Sequence, residues 1–387
     1  MNDPSRRRFI EMGGAAAAAF GVPIPHSIAP ATEPATSMTV HLSGDGLNLD
    51  PSEAAAEIVR LCGAEKPVAD QYGLTGCVED VEKYFAALLG KERALFMPTG
   101  TLANHLAIRA LARDRRRVVV QEMSHIYNDT GDASQVLSGL TLMPLAPDKG
   151  TFTWADVEHV IARTTSGRVP DPLGAIVVES PIRRLSGELF ERAEMMRVCA
   201  EARRLGIGLH LDGARLFIAS AYTGIAPAEY AAPFDTVYVS LWKYFNSLNG
   251  AILAGPSALL DGMFNVRRMF GGALWNAWPF ALLARHYAEG FVDRLKAAIT
   301  VSDDFIRAIG SSNAQIERVP NGTNIFRLVV SEGRAEPARE RLRGQGVVLP
   351  AAAKRADRAA FSLQVNETWN RTTGARLADL VNRALTP

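Results

Sequence analysis

The stretch Ile207-Gly-Leu-His-Leu-Asp212-Gly-Ala-Arg215, followed by Asp235-Thr-Val-Tyr-Val-Ser-Leu-Trp-Lys243, decides how this chain reads. Each half is an apolar run of strand length, and each delivers charge at its carboxyl end: an acid, then an arginine, then a lone lysine about one βαβ crossover later. An Asp-Gly after a strand commonly forms a turn whose carboxylate is solvated or caps a helix. A lysine on such a loop is commonly a surface residue. Here, however, only 7 lysines stand against 35 arginines. Lys243 alone follows a strand-like run, Thr236 to Leu241, and precedes another, Ala251 to Leu253.

An acid and a lysine brought to one sheet edge suit pyridoxal phosphate (PLP). The cofactor's ring becomes an electron sink when a buried carboxylate keeps its nitrogen protonated, and its aldehyde is captured by a lysine as a Schiff base. Asp212 and Lys243 meet those two needs. Upstream, Arg93 to Met97 reads as a strand, Pro98-Thr99-Gly100-Thr101 as a tight turn and Leu102 to Leu111 as a helix. Such a turn presents free backbone N–H groups and the positive end of a helix dipole to a phosphate, although Thr-Gly-Thr also caps ordinary helices. Val118 to Val120 reads as a strand ending near Ser124-His125-Ile126, which puts His125 where open α/β sheets keep their ligands. An imidazole there can stack on a ring and move protons.

Composition narrows the rest. At 387 residues the chain exceeds one ordinary core, and a net charge of +1 gives no field that would concentrate nucleic acid. Cys62, Cys77 and Cys199 show neither metal nor redox spacing and read as packing residues, and no metal site is expected. Ser5-Arg6-Arg7-Arg8-Phe9-Ile10, an alanine-rich run to Val22 and a small-residue site near Ala29-Pro30-Ala31 have the layout of a twin-arginine export signal. The expectation is a periplasmic or secreted protein, cytoplasmic if the signal goes unused, with no membrane contact once the signal is removed. Val40 to Asp50 reads as an extended arm, and Ser52 to Cys62 as a helix capped by Ser52. Trp278 to Ile309 reads as one long helix, and a further helix is expected from Pro337 to Gly346.

The stretches Leu95-Phe-Met-Pro-Thr-Gly-Thr-Leu-Ala-Asn104, Ser124-His-Ile126, His210-Leu-Asp-Gly-Ala-Arg-Leu-Phe217 and Ser240-Leu-Trp-Lys243 resemble the threonine aldolase and aromatic amino acid β-eliminating lyase family. That family has the PLP fold type I architecture of the aspartate aminotransferase superfamily. The resemblance implies that Gly100 and Thr101 bind the cofactor phosphate and that His125 stacks on the ring. It further implies that Asp212 pairs with the ring nitrogen, Arg215 meets the substrate carboxylate and Lys243 carries the cofactor, with Ser43 near the substrate. Three departures stand out. Trp275-Asn276 replaces the family's Arg-Gln, Trp242 stands where a serine precedes the lysine, and Ser362 falls where an arginine helps clamp the substrate carboxylate.

The fold expected is α/β, with a large domain around a mixed, mostly parallel seven-stranded sheet and a small C-terminal α+β domain. Residues 1–37 would be signal and linker, 38–285 the large domain with its arm, and 286–387 the linking helix and small domain. The activity expected is PLP-dependent cleavage of the Cα–Cβ bond of a β-hydroxy-α-amino acid, giving glycine and an aldehyde, in a homodimer or homotetramer. Other PLP chemistry, namely β-elimination, racemisation or transamination, and a non-catalytic relative of the fold stay open.

Overall fold

Short apolar runs bounded by turns become strands, as their Val, Ile and Leu content requires. They are described here from a computed structural model covering residues 38–310 and 314–386. The twin-arginine stretch lies outside the described residues. Arg93–Met97 (β1), Arg117–Gln121 (β2), Thr141–Leu145 (β3), Leu173–Glu179 (β4), Gly208–Asp212 (β5), Thr236–Ser240 (β6) and Ala251–Gly255 (β7) form one seven-stranded sheet. Its order is β1-β7-β6-β5-β4-β2-β3. β7 runs antiparallel to both neighbours, and the remaining pairs are parallel. β4 and β6 are buried at every position, as strands covered on both faces must be. Gln121, Glu179, Asp212 and Ser240 are the last residues of four parallel strands, so all four stand at one edge.

The helices begin where side chains can satisfy their first N–H groups. Pro51–Glu65 (α1) starts one step earlier than expected, because Asp50 rather than Ser52 is its cap. The Asp50 carboxylate accepts from the N–H groups of Ser52 and Glu53, and Pro51 at the start forfeits only an N–H that needs no partner. Gly76–Leu89 (α2) and Gly100–Ala112 (α3) flank β1 in sequence, and Leu216–Thr223 (α6) follows Arg215. Between them lie Trp154–Thr165 (α4) and Arg192–Arg204 (α5).

The long helix expected downstream is two helices, Trp278–Ala288 (α7) and Phe291–Ala308 (α8). Glu289 is extended and Gly290 adopts φ +66°, a left-handed conformation that glycine takes without steric cost. Arg294 then takes the carbonyls of Tyr287, at 2.7 Å, and Glu289, which the break leaves over. Beyond it, Ala314–Arg318 (β8), Ile325–Ser331 (β9), Ala353–Arg355 (β10) and Arg358–Gln364 (β11) form an antiparallel sheet in the order β10-β11-β9-β8. Glu332–Arg343 (α9) and Gly374–Leu385 (α10) complete this part. α9 starts ahead of Pro337, which therefore lies inside the helix and costs it one hydrogen bond.

Two features tie distant parts together. The arm residues Val40 and His41 pair in parallel with Val347 and Val348, and Asn366 donates to the carbonyls of His41 and Gly44 at 3.0 and 2.9 Å. Beneath the lysine loop, Phe245 packs with ring centroids 5.4 Å from Phe85, 5.1 Å from Phe217 and 5.3 Å from Phe291. This cluster anchors the residues after Lys243 to α2, α6 and α8. Phe245→Ala should therefore lower unfolding stability by about 3–5 kcal/mol, whereas the exposed Val59→Ala should change it by less than about 0.5 kcal/mol. Urea midpoints of the two variants check this, and similar midpoints would refute the anchoring role.

Candidate active site

Asp212 is 2% exposed at the end of β5, and a chain of donors ends on it. The Asn104 side-chain N–H donates to one carboxylate oxygen at 2.6 Å, and the Ala214 backbone N–H to the other at 3.1 Å. With its nitrogen so committed, Asn104 turns its oxygen to His210 Nε2 at 2.8 Å, so that nitrogen carries the proton. His210 Nδ1 is then the acceptor for the Thr236 hydroxyl at 2.8 Å. Burial pushes the His210 pKa down to about 4, which keeps the ring neutral and the relay pointed one way, from Thr236 to Asp212.

Glu179 ends the neighbouring strand, in register with Asp212. Burial and the Asp212 charge both raise its pKa. Its carboxylate accepts from the N–H groups of His125, at 2.5 Å, and Arg183, at 3.2 Å, and so fixes the turn that carries His125. The His125 ring faces Asp129 through Nδ1 at 3.2 Å. Partial burial would raise the Asp129 pKa, but hydrogen bonds from Arg184, Arg183 and His125 hold it well below the usual carboxylate range.

Lys243 follows β6. Burial pushes its pKa down to about 8, the Arg215 charge adds to the depression, and Asp212, Asp45 and Glu179 oppose it. The amine thus lies within the field of all four groups. It shares a cavity of about 360 Å³ with Gly44, Asp45, Arg215, Trp242 and Gln364. The arm closes one wall. Gly46 lies so near the loop that a Cβ there would stand 2.5 Å from the Lys243 carbonyl oxygen, and the Leu47 N–H donates to Asn246 at 2.8 Å. Arg215 is paired to Asp45, with Nε and Nη2 at 3.0 and 2.7 Å from one carboxylate oxygen.

At the amino end of α3, Thr99 accepts from the Leu102 N–H at 3.2 Å. Helix geometry leaves the N–H groups of Gly100 and Thr101 without an intrahelical acceptor. Only glycine fits at 100, because a Cβ would fall 2.0 Å from the Tyr238 phenol oxygen.

The sequence-derived residues thus fall into three places: Asp212 and His125 along the sheet edge with Glu179, Lys243 and Arg215 on one cavity, and Gly100 and Thr101 at the α3 start. The Ser43 carbonyl is held by Asn48 at 3.0 Å and Asn366 at 3.3 Å, and the cavity wall is made by its neighbours Gly44 and Asp45. Ser362 is exposed on β11, and Gln364, one pleat further on, lines the cavity instead. Asn104, His210, Glu179, Asp45 and Gln364 escaped sequence reasoning. His210 had a signal, lying two residues before Asp212 and hence on the same strand face. Asn104, one turn along the helix from Gly100, had another. Among the described residues, no group of three or more His, Cys, Asp or Glu side chains could hold a metal.

This architecture, with a lysine loop beyond a mostly parallel sheet and an acid at the neighbouring strand end, is that of the PLP fold type I proteins. The chain belongs to the beta-eliminating lyase family, whose model matches residues 54–335. It is 30% identical over 250 residues to a protein of Schizosaccharomyces pombe named a probable low-specificity L-threonine aldolase, covering 64% of this chain and 65% of that protein. The aligned stretch therefore spans somewhat less than two thirds of that relative. A Listeria monocytogenes protein provisionally assigned as an L-allo-threonine aldolase superposes with a TM-score of 0.74 at 27% identity, over 90% of this chain and 96% of that one. A serine palmitoyltransferase from S. paucimobilis solved with PLP bound shares the fold, with a TM-score of 0.62 at 16% identity over 89% and 87% of the two chains.

The depressed lysine has a consequence for stability. Between about 8 and about 10.4 the unfolded chain holds a proton on Lys243 that the folded chain does not, so folding stability rises with pH across that window. In cofactor-free protein at pH 7, Lys243→Met should be more stable than wild type by up to about 3 kcal/mol, and the gap should close toward pH 10. Denaturant unfolding at both pH values checks this, and a gap of constant size would contradict the burial of the amine.

Proposed function

We propose that the chain is a PLP-dependent carbon–carbon lyase that splits a β-hydroxy-α-amino acid between Cα and Cβ, giving glycine and an aldehyde. The observation that carries this reading is the Lys243 amine, pushed down to about 8 by burial, on one cavity with Arg215 and in the field of the buried Asp212. The names carried by the S. pombe and L. monocytogenes proteins support it.

The donor set fits the cofactor: a primary amine partly neutral near pH 7, a buried carboxylate held from two sides, and free N–H groups at a helix start against Tyr238. Bound there, PLP supplies an electrophilic carbon for an amine and a ring that accepts an electron pair from the substrate α-carbon. Lys243 would hold the cofactor. Asp212 would keep a proton on the ring nitrogen through a charge-assisted hydrogen bond, aligned by Asn104 and Ala214. Gly100 and Thr101 would bind the phosphate by their N–H groups, and Arg215 would face the substrate carboxylate. His125, oriented by Asp129, would stack on the ring and take the proton of the β-hydroxyl.

The assembly proposed is a homodimer or homotetramer, supported by the exposed Trp242, Leu248, Met269 and Trp275, of which the first two line the cavity. Export by the twin-arginine route is likewise proposed, on the Arg6-Arg7-Arg8-Phe9 motif.

Purified protein should be yellow, lose its visible band on treatment with borohydride, and be colourless as Lys243→Ala. A panel of β-hydroxy-α-amino acids should give glycine and aldehyde, and Asp212→Ala should slow turnover by at least about a hundredfold. Keto acid with ammonia would replace the aldolase reading with elimination, a racemised substrate would replace it with racemisation, and no turnover on any amino acid would leave a non-catalytic relative. For export, Arg6→Lys/Arg7→Lys should keep the protein in the cytoplasm, and an unaltered periplasmic fraction would exclude that route.

A further inference from the structure

We infer that Asp45 is a specificity-determining residue that masks Arg215 and so weakens recognition of the substrate's carboxylate. The inference rests on the PLP reading of the same cavity.

Two observations on the residues carry it. Arg215 is 7% exposed and Asp45 9%, and both of the short guanidinium contacts go to the same Asp45 oxygen. The other Asp45 oxygen is held by the Asn324 amide at 3.4 Å, so the carboxylate is fixed from two sides. The second observation concerns what else could bind an anion. Among the described residues, Arg215 and Lys243 are the only cations lining the cavity, and in the PLP reading Lys243 is taken by the cofactor. β11, which in the resemblance offers an arginine, presents the neutral Gln364, itself engaged by the Gly44 N–H.

A carboxylate entering this cavity therefore meets a guanidinium already neutralised at close range. Binding gains only the difference between the new ion pair and the one displaced. The site consequently recognises its substrate by the amine and side chain more than by the carboxylate. Its substrate class is a small β-hydroxy amine in which the α-carboxylate contributes little affinity.

The holoenzyme tests this with two probes, glycine and methylamine, whose binding is read from the shift of the visible band. Wild type should favour glycine by less than about tenfold, because a hydrogen bond to an unmasked charge is worth about 1.5–3 kcal/mol, or about ten- to a hundredfold. Asp45→Asn should raise the glycine-to-methylamine ratio by about tenfold or more, and adding Arg215→Gln should return it to the wild-type value. Since Asp45→Asn leaves a buried guanidinium unpaired and could impair folding, Asn324→Ala serves as a second variant. It frees one oxygen of Asp45 and should raise the ratio by a smaller factor. A ratio that is unchanged or lower in a variant with an intact visible band overturns the inference. Absence of the band in every variant and in wild type would instead overturn the PLP reading itself.

Discussion

Four buried ionisable side chains, Asp45, Glu179, Asp212 and Arg215, meet the half-buried Lys243 at one edge of a mostly parallel sheet, and the rest of the site depends on how their charges offset one another. Any one of them alone in an apolar interior would cost several kcal/mol to desolvate. Together they divide into compensated units. Arg215 takes Asp45, Asp212 takes the amides of Asn104 and Ala214, and Glu179 takes the N–H groups of His125 and Arg183. Lys243 is given no carboxylate of its own among the described residues, only the Trp242 ring 4.6 Å from its Nζ, and burial together with the Arg215 charge lowers its pKa to about 8.

That arrangement demands rigidity, since a drift of an ångström or so would undo each pairing. The sheet supplies part of it through register, which sets Glu179 beside Asp212 and Asp212 beside Tyr238. The loops need a separate anchor because their backbone makes no ladder. Phe217 follows Arg215 by two residues, and Tyr244 and Phe245 follow Lys243 directly. All three rings enter one buried cluster with Phe85 and Phe291. The loops of Arg215 and Lys243 and the hydrophobic core are thus consecutive residues of the same segments.

The sequence made the sheet legible because its strands are local objects. A run such as Thr236 to Leu241 carries its own periodicity and its own charged terminus, and β1 was bounded at Arg93 and Met97 by residues that declare themselves. Asp212, Lys243, Gly100 and His125 stand beside strand ends and a helix start that the same local pattern marks. Where the reading failed, the cause was competition between near-equal local choices or a contact from afar. Asp50 outcompetes Ser52 as a cap because its carboxylate reaches two N–H groups at once. Gly290 breaks a helix whose flanks are both strongly helical, and apolar periodicity passes over a single glycine. Asp45 and Gln364 carry no local mark, since only the folded chain brings an N-terminal arm and a C-terminal strand to the same cavity.

That last pair bears on how chemistry and selectivity are distributed along the chain. The family match spans residues 54–335, and Gly100, His125, Asp212, Arg215 and Lys243 all lie inside it. Asp45 precedes it and Gln364 follows it, yet both line the cavity with Lys243. The flanks are held to one another directly, by the pairing of Val40 and His41 with Val347 and Val348 and by the Gln364 N–H donating to the Leu42 carbonyl at 2.9 Å. A substitution at Gln364 can therefore alter the cavity wall without disturbing the strand ends that hold Glu179 and Asp212. Gln364 carries no charge and can vary without leaving one unpaired, whereas Asp45 belongs to the buried pair with Arg215, so a change there must also supply the guanidinium with another partner.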